Sequence, residues 1–79
     1  MLRVTLFQGR RPVFQGNARQ VVLPGEDGEV SVLGYHAPML CVLGEGRVQI
    51  DELDVPVQGG LACVTHNAVT IVTPLSAEG

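Results

Sequence analysis

This 79-residue chain has two histidines and two cysteines: His36, Cys41, Cys63 and His66. Residues of these types can act as nucleophiles, general bases or zinc ligands. A histidine that acts as a base needs a nucleophile and an orienting carboxylate within hydrogen-bond reach, and the sequence around His36 supplies neither. The spacing of the four residues differs from the C-x2-C and H-x3-H patterns of zinc sites. Alternation along a strand also places residues three apart, such as Cys63 and His66, on opposite faces. The sequence therefore predicts no catalytic residue, no metal site and no cofactor.

The acidic stretch PGEDGE is a second group that could do chemistry, and it presents Glu26, Asp27 and Glu29 between two predicted strands. Its spacing lacks the ligand order of a calcium-binding loop. On residue type alone, a solvated acidic turn and a contact with a basic protein partner both stay open. The formal net charge is −3, and Arg47 is the only basic residue after Arg19. Because binding to a phosphate backbone needs clustered lysine or arginine, the sequence argues against a nucleic-acid partner.

The composition predicts one folded domain over residues 1–79. Hydrophobic residues make up 46% of the chain, whereas charged residues, at 16%, are sparse against a typical figure of about 25%. Part of the surface is therefore expected to face something other than water. No signal peptide and no run of about 18 apolar residues is present, so we expect a soluble cytoplasmic protein, with docking on a membrane assembly left open. Both cysteines lie in apolar runs and are expected to be buried free thiols.

Proline and glycine punctuate the sequence, and no window has apolar residues at the helical spacing of three and four. An all-β fold is therefore predicted, a small two-sheet β-sandwich or flattened barrel of short antiparallel strands. The predicted strands are residues 2–7, 17–23, 29–33, 39–43, 47–51, 53–57, 61–65 and 68–73. The predicted turns are PGEDGE, GEG at 44–46, DELD at 51–54, QGG at 58–60 and HN at 66–67.

Alternating apolar residues in these strands are predicted to face the core. They are the pairs Val48 and Ile50, Val55 and Val57, and Leu61 and Cys63. Core positions are also assigned to Met39, Leu40 and Leu43. Gly59 and Gly60 are expected to mark a bulge or a close approach of two backbones, because no helix follows them to form a phosphate cradle.

The order of several short motifs indicates a family. VFQG at 13–16 precedes PGEDGE, a HAP turn at 36–38, GEGRVQI at 44–50, the glycine pair at 59–60 and a final valine-rich strand. Over nearly the whole chain, this order resembles the N-terminal β-sandwich domain of the epsilon subunit of rotary, F-type ATP synthases. The resemblance implies two packed sheets at the foot of the central stalk, which clamp the gamma subunit and touch the polar loops of the c-subunit ring. It also implies that the domain catalyses no reaction itself, and that it couples proton flow to ATP synthesis carried out elsewhere.

The resemblance also implies two sets of contact residues. The expected c-ring contacts are Glu29, Glu26 and Asp27, with Glu29 at the acidic position that the family associates with arginine-bearing loops of the ring. The expected gamma contacts are Tyr35, His36 and Met39. Pro38 restricts the preceding residue to extended conformations and so directs His36. Tyrosine at a turn, with its polar tip, is a common contact anchor.

The chain departs from the family pattern in two places. Epsilon chains usually continue into a C-terminal helical hairpin, which is expected to be absent because the sequence stops at TPLSAEG. The regulatory and ATP-binding roles of that hairpin are therefore not carried over. The family also has Pro-Gly before HAP, where this chain has Gly34 and Tyr35. Glycine in the first position suits a type II′ turn, which predicts positive φ at Gly34 and negative φ at Tyr35.

The leading hypothesis is a non-catalytic central-stalk subunit, peripheral on the cytoplasmic face of a membrane, a bacterial inner membrane by expectation, without insertion into lipid. Two alternatives stay open. One is a structural β-sandwich that associates with itself, which predicts a stable oligomer without a partner. The less favoured one is a small thiol hydrolase that uses Cys41 or Cys63 with a histidine, which predicts rapid alkylation of one cysteine at neutral pH.

Overall fold

A computed structural model of the chain describes residues 1–34 and 37–74, which form seven strands and no helix. The strands are β1 (Leu2–Gln8), β2 (Arg11–Ala18), β3 (Gln20–Gly25), β4 (Gly28–Leu33), β5 (Met39–Ile50), β6 (Leu53–Val64) and β7 (Ala68–Thr73). Their order in the sheet is β2-β1-β7-β6-β5-β3-β4. Neighbouring strands are antiparallel except β1 and β7, which are parallel. The prediction of an all-β fold is therefore confirmed.

The long strands β5 and β6 join two layers of sheet. They pair with each other in one register from Met39↔Val64 to Ile50↔Leu53, with an interruption at Gly44 and Gly59. Their two halves have different outer neighbours, since β7 pairs with residues 61–64 of β6, whereas the start of β3 pairs with residues 49–50 of β5. The first layer thus contains β2, β1, β7 and the adjoining halves of β6 and β5. The second layer contains β4, β3 and the other halves of β5 and β6.

One apolar cluster lies between the layers and includes residues from all seven strands. Leu2, Leu6 and Ile71 of the first layer are completely buried, as are Val21 and Leu23 of the second. Because β1 and β3 are not neighbours in the sheet, their side chains share one core only if the two layers pack face to face. The predicted two-layer sandwich is therefore present, built from one sheet that folds over itself.

The face of the β5–β6 hairpin that points into the core changes along its length. The buried residues of β5 are Cys41, Leu43, Val48 and Ile50. Their spacing of two is broken once, between 43 and 48, and β6 shows the same break between Val57 and Ala62. The two strands stay paired on both sides of this point. The hairpin therefore turns its other face to the core where it crosses between layers, and glycine occupies positions 44, 46, 59 and 60 there.

Gly60 is the tightest point of this crossing. A Cβ atom at Gly60 would overlap the carbonyl oxygen of Val72 in β7 and lie 3.0 Å from the Cα of Thr73. The φ angles of 129° at Gly60 and 99° at Gly59 also lie where a residue with a Cβ is strained. The predicted close approach of two backbones at this glycine pair is therefore confirmed.

Two predicted turns are wrong because of the same crossing. GEG at 44–46 and QGG at 58–60 lie inside β5 and β6, so four predicted strands are two. The glycines there allow the hairpin to change layers without ending it. The predicted strands also omit β2, whose Pro12 and Gly16 interrupt its apolar pattern, and residues 17–23 are divided between β2 and β3.

The other three predicted turns are confirmed. PGEDGE contains a two-residue hairpin turn closed by Gly25↔Gly28. DELD contains the turn between β5 and β6, residues 51–52, closed by Ile50↔Leu53. HN lies in the turn between β6 and β7, where the backbone N–H of Thr65 donates to the carbonyl oxygen of Ala68 at 2.9 Å.

Asp51 fastens the β5–β6 turn to the start of β3. Its carboxylate accepts hydrogen bonds from the backbone N–H of Arg19 at 3.0 Å and 3.2 Å and from that of Gln20 at 3.0 Å. Its own N–H donates to the carbonyl oxygen of Gln20 at 3.0 Å. Asp51 has a positive φ of 53°, which aspartate tolerates better than most residues. Asp51 thus supplies hydrogen-bond partners for backbone groups at the point where the chain passes from the first layer to the second.

We expect Asp51→Gly to lower the free energy of unfolding by about 1 to 2 kcal/mol, because two backbone donors, the N–H groups of Arg19 and Gln20, lose a charged acceptor. Glycine adopts the same positive φ, so the substitution adds no strain. The matched control is Glu52→Gly, the next residue of the same turn. Urea unfolding followed by circular dichroism measures both variants, and an equal loss in the two would contradict the role of the carboxylate.

We expect Gly60→Ala to be far more damaging than Gly28→Ala, although both glycines have φ near 130°. A Cβ at Gly28 meets no atom within 4 Å, so that variant carries only backbone strain, about 1 to 3 kcal/mol. The Cβ at Gly60 also collides with β7, which adds roughly 1 to 3 kcal/mol. Urea unfolding of the two variants is the measurement, and similar free energies would show that the contact with β7 is unimportant.

Candidate docking site

An apolar row crosses the outer face of the first layer from strand to strand. Its residues are register neighbours: Val42↔Leu61, Leu61↔Val72, Val72↔Phe7 and Phe7↔Pro12. Val42, Leu61 and Val72 have 49%, 46% and 48% of their surface exposed. In the neighbouring row, Leu40, which is 65% exposed, pairs with the exposed Cys63. We call Leu40, Val42, Leu61, Cys63 and Val72 together the docking face.

The docking face corrects three predictions from the sequence. Leu40, Leu61 and Cys63 are expected in the core, yet all three are exposed. In each strand the other set of alternating residues points inward, since Cys41 and Leu43 of β5, like the small Ala62 of β6, are buried. Apolar residues on both sides of a strand are typical of strands covered on both faces. The unbroken apolar runs at 39–43 and 61–64 are therefore the signal that could have revealed this face.

The core predictions in the second layer hold better. Val48, Ile50 and Val57 are buried and Val55 is half-buried against the core. In the first layer, Leu43 is buried as predicted, and Met39 is half-buried against the core.

The outer face of the second layer has the opposite character. Its exposed residues include Ser31 of β4, Arg47 and Gln49 of β5, and Asp54 of β6. Gln49 pairs with Asp54 across the hairpin, so polar side chains lie side by side on this face. Only the first layer presents adjoining apolar side chains on several neighbouring strands, and clustered exposed apolar residues are typical of protein contact surfaces.

The acidic turn, PGEDGE at residues 24–29, lies beside the docking face. The backbone N–H of Glu26 donates to the carbonyl oxygen of Val42 at 2.9 Å, and Gly25 pairs with Leu43. A groove of about 380 Å³ separates the turn from β5. It is lined by residues 25–30 on one side and 39–42 on the other. The described residues of the two predicted contact sets thus lie next to each other. Glu26, Asp27 and Glu29 of the c-ring set and Met39 of the gamma set all border this groove.

Tyr35 and His36, the other predicted gamma contacts, lie outside the described residues. The predicted turn at Gly34 is wrong, because the φ of Gly34 is outside the left-handed region. Tight two-residue turns join strands that pair with each other. β4 and β5 do not pair, since β3 lies between them in the sheet.

The two cysteines are neither paired nor arranged for catalysis. Both are free thiols, and they lie on opposite sides of the sheet, with Cys41 buried and Cys63 exposed. The predicted burial is confirmed for Cys41 and wrong for Cys63. Burial, together with the negative charge of Asp27, raises the pKa of the Cys41 thiol. A reactive cysteine needs the opposite shift, so Cys41 is a poor nucleophile.

The described residues also contain no group of candidate metal ligands and no membrane-spanning helix. Among residues 1–34 and 37–74, no three His, Cys, Asp or Glu side chains are grouped so that they could hold a metal ion. The same part of the chain has no helix that is long and apolar enough to cross a membrane.

Curated relatives of this chain are ATP synthase epsilon chains. It is 34% identical over 83 residues to that of Polaromonas naphthalenivorans, an alignment that covers 99% of this chain and 60% of the relative. It is 37% identical over 75 residues to that of Maricaulis maris, which covers 90% of this chain and 56% of the relative. The chain therefore spans about 60% of the length of these relatives.

Two solved assemblies contain chains with the same fold. One is the Euglena gracilis mitochondrial ATP synthase, resolved as OSCP, F1 and c-ring, with a TM-score of 0.80, 23% identity and coverage of 91% of this chain and 49% of that chain. The other is the central stalk and c-ring of the Tetrahymena thermophila mitochondrial ATP synthase, with a TM-score of 0.72, 16% identity and coverage of 92% and 63%. The family model of the ATP synthase delta/epsilon chain β-sandwich domain matches residues 1–77. This chain, with its two-layer sandwich, therefore belongs to the ATP synthase delta/epsilon family.

Proposed function

We propose that this domain is a non-catalytic part of the central stalk of a rotary ATP synthase. It docks on the gamma subunit through the docking face and meets the polar loops of the c-ring through the acidic turn. In this way it helps to couple ion flow to ATP synthesis. The observation that carries the proposal is the docking face itself, an apolar surface in a domain of a family whose members belong to a multisubunit enzyme.

The docking face supports binding to a large protein surface. Its four aliphatic side chains keep roughly half or more of their area in contact with water. Covering a half-exposed leucine or valine contributes on the order of 1 kcal/mol. Association carries a free-energy cost of roughly 4 to 15 kcal/mol. Covering several such side chains in one row, together with their neighbours, offsets part of that cost. The polar outer face of the second layer offers no comparable gain.

The acidic turn is suited to a different kind of contact. Glu26, Asp27 and Glu29 are exposed, and the family resemblance associates the position of Glu29 with arginine-bearing loops of the c-ring. Exposed ion pairs contribute little affinity but set orientation and the rate of encounter. Glu26, Asp27 and Glu29 thus stay predicted ring contacts, and Tyr35, His36 and Met39 stay predicted gamma contacts. A peripheral position on the cytoplasmic side of the membrane follows from these partners.

The structure bears differently on the two alternative functions, self-association and thiol hydrolysis. Self-association would use the same docking face, so an oligomer of the free chain is the outcome to look for when gamma is absent. The thiol hydrolase is disfavoured with Cys41 as its nucleophile, because the raised pKa of that thiol leaves little thiolate at neutral pH. With Cys63 it stays open, and accelerated alkylation of this exposed thiol is the result to look for.

We expect Leu61→Asp to weaken binding to a gamma subunit from the same organism by about 30-fold or more, because a charge in the centre of an apolar interface stays unpaired. The matched control is Leu53→Asp, a leucine that is 45% exposed against 46% for Leu61 and lies at the start of β6 in the second layer, outside the docking face. Isothermal titration calorimetry measures affinity, and sedimentation of the free chain reports oligomers. Equal losses in both variants, or none in Leu61→Asp, would remove the docking face from the proposal.

Cys63 serves as a native probe of the same face. We expect N-ethylmaleimide to modify Cys63 in the free chain at the rate of an ordinary exposed thiol, without the acceleration that a thiol hydrolase predicts. In the gamma complex the rate should be about tenfold lower, since a buried interface excludes the reagent. Cys41 should react slowly in both states, because its raised pKa lowers the thiolate fraction at any pH below that pKa. Mass spectrometry of the labelled peptides measures both rates. Unchanged labelling of Cys63 in a proven complex would place gamma elsewhere on the domain.

A further inference from the structure

We infer that the acidic turn serves two partners: Glu26 and Asp27 form a charged rim of the docking face and bind gamma, whereas Glu29 is directed away from gamma. The inference rests on the proposed function, because it assumes that gamma covers the docking face. It divides three carboxylates that the sequence treats as one set of ring contacts. It also specifies the chemistry of the gamma surface, which must place a basic side chain next to its apolar ones.

Glu26 and Asp27 are held against β5, the strand at this edge of the docking face. The N–H of Glu26 donates to the carbonyl oxygen of Val42 at 2.9 Å, and Val42 begins the apolar row. Leu40 and Val42, two members of the docking face, also line the groove beneath the turn. A partner on the docking face therefore reaches Glu26 and Asp27 by crossing Val42.

Glu29 occupies a position of a different kind. It is the second residue of β4 and pairs with Pro24. Val30 packs against the core and Val32 is buried, so alternation places Glu29 and Ser31 on the outer face of the second layer. Glu29 also borders the groove. A second partner can therefore contact it without touching the docking face.

The rim and the groove fit an arginine or lysine that follows an apolar residue in the partner. The aliphatic stem of such a side chain can pack on Leu40 and Val42 while its charge reaches the carboxylates of Glu26 and Asp27. Arginine suits the arrangement best, because its planar head makes two hydrogen bonds to a carboxylate and is weakly hydrated. This charge complementarity adds specificity at the rim of an apolar contact.

The test compares two double variants that remove the same charge: E26Q/D27N, on the rim, and E29Q/E52Q, whose second residue lies in the distant β5–β6 turn. Affinity for the gamma subunit is measured by calorimetry at low and high salt, after circular dichroism has shown that both variants fold. We expect E26Q/D27N to bind about 3- to 10-fold more weakly than the unaltered chain at about 0.05 M salt, with the difference shrinking at about 0.5 M. E29Q/E52Q should bind within about twofold of the unaltered chain.

The outcomes separate the inference from the proposed function. If the unaltered chain forms no complex with gamma, the proposed function fails and the inference fails with it. If the complex forms and E26Q/D27N binds as tightly as the unaltered chain, only the inference is overturned. It is also overturned if E29Q/E52Q loses as much affinity as E26Q/D27N. In that case the three carboxylates act as one set, as the sequence alone suggests.

Discussion

The close contact between the backbone of Gly60 and β7 is the constraint on which the rest of this structure depends. A sheet of seven strands can fold into two layers only where its long strands pass from one layer to the other. In this chain the β5–β6 hairpin makes that passage without changing its register, and its pairing is interrupted at Gly44 and Gly59 alone. The passage requires positive φ at Gly59 and Gly60 and leaves no room for a side chain at Gly60. Glycine is therefore needed there for steric reasons, and the hairpin remains one continuous, stiff element.

The crossing also determines which residues face outward. The hairpin turns opposite faces to the core in the two layers. The alternation of inward and outward residues in one half therefore does not predict which residues face the core in the other half. In the second layer the outward residues of the hairpin are polar, such as Arg47 and Gln49. In the first layer they are Leu40, Val42 and Leu61. One covalent element thus supplies part of the core, a water-facing surface and the apolar docking face, and it also holds the acidic turn through the carbonyl group of Val42.

Local patterns in the sequence predict much of this fold and less of the site. The strands β1, β4 and β7, three turns and the all-β class follow from alternation and turn residues, which act over a few positions. The continuity of β5 and β6 does not follow, because glycine at 44–46 and 59–60 is equally typical of a turn and of a crossing. The outward positions of Leu61 and Cys63 depend on the phase of the hairpin beyond that crossing, which is a tertiary property. The role of Asp51 depends on Arg19 and Gln20, more than thirty positions away, and no local pattern reports it.

Under the proposed function, the stiffness of the sandwich has a physical reason. A domain that passes force between neighbours must not yield, and paired strands with a single shared core deform little. It must also hold its neighbours through surfaces fixed to stiff elements, and both contact regions are attached to β5. A catalytic cleft would open the layers and weaken the core of so small a domain, which buries only about 60% of the surface of its unfolded chain. If the proposed function holds, the exposed apolar residues are the part of a larger core that a neighbouring subunit completes.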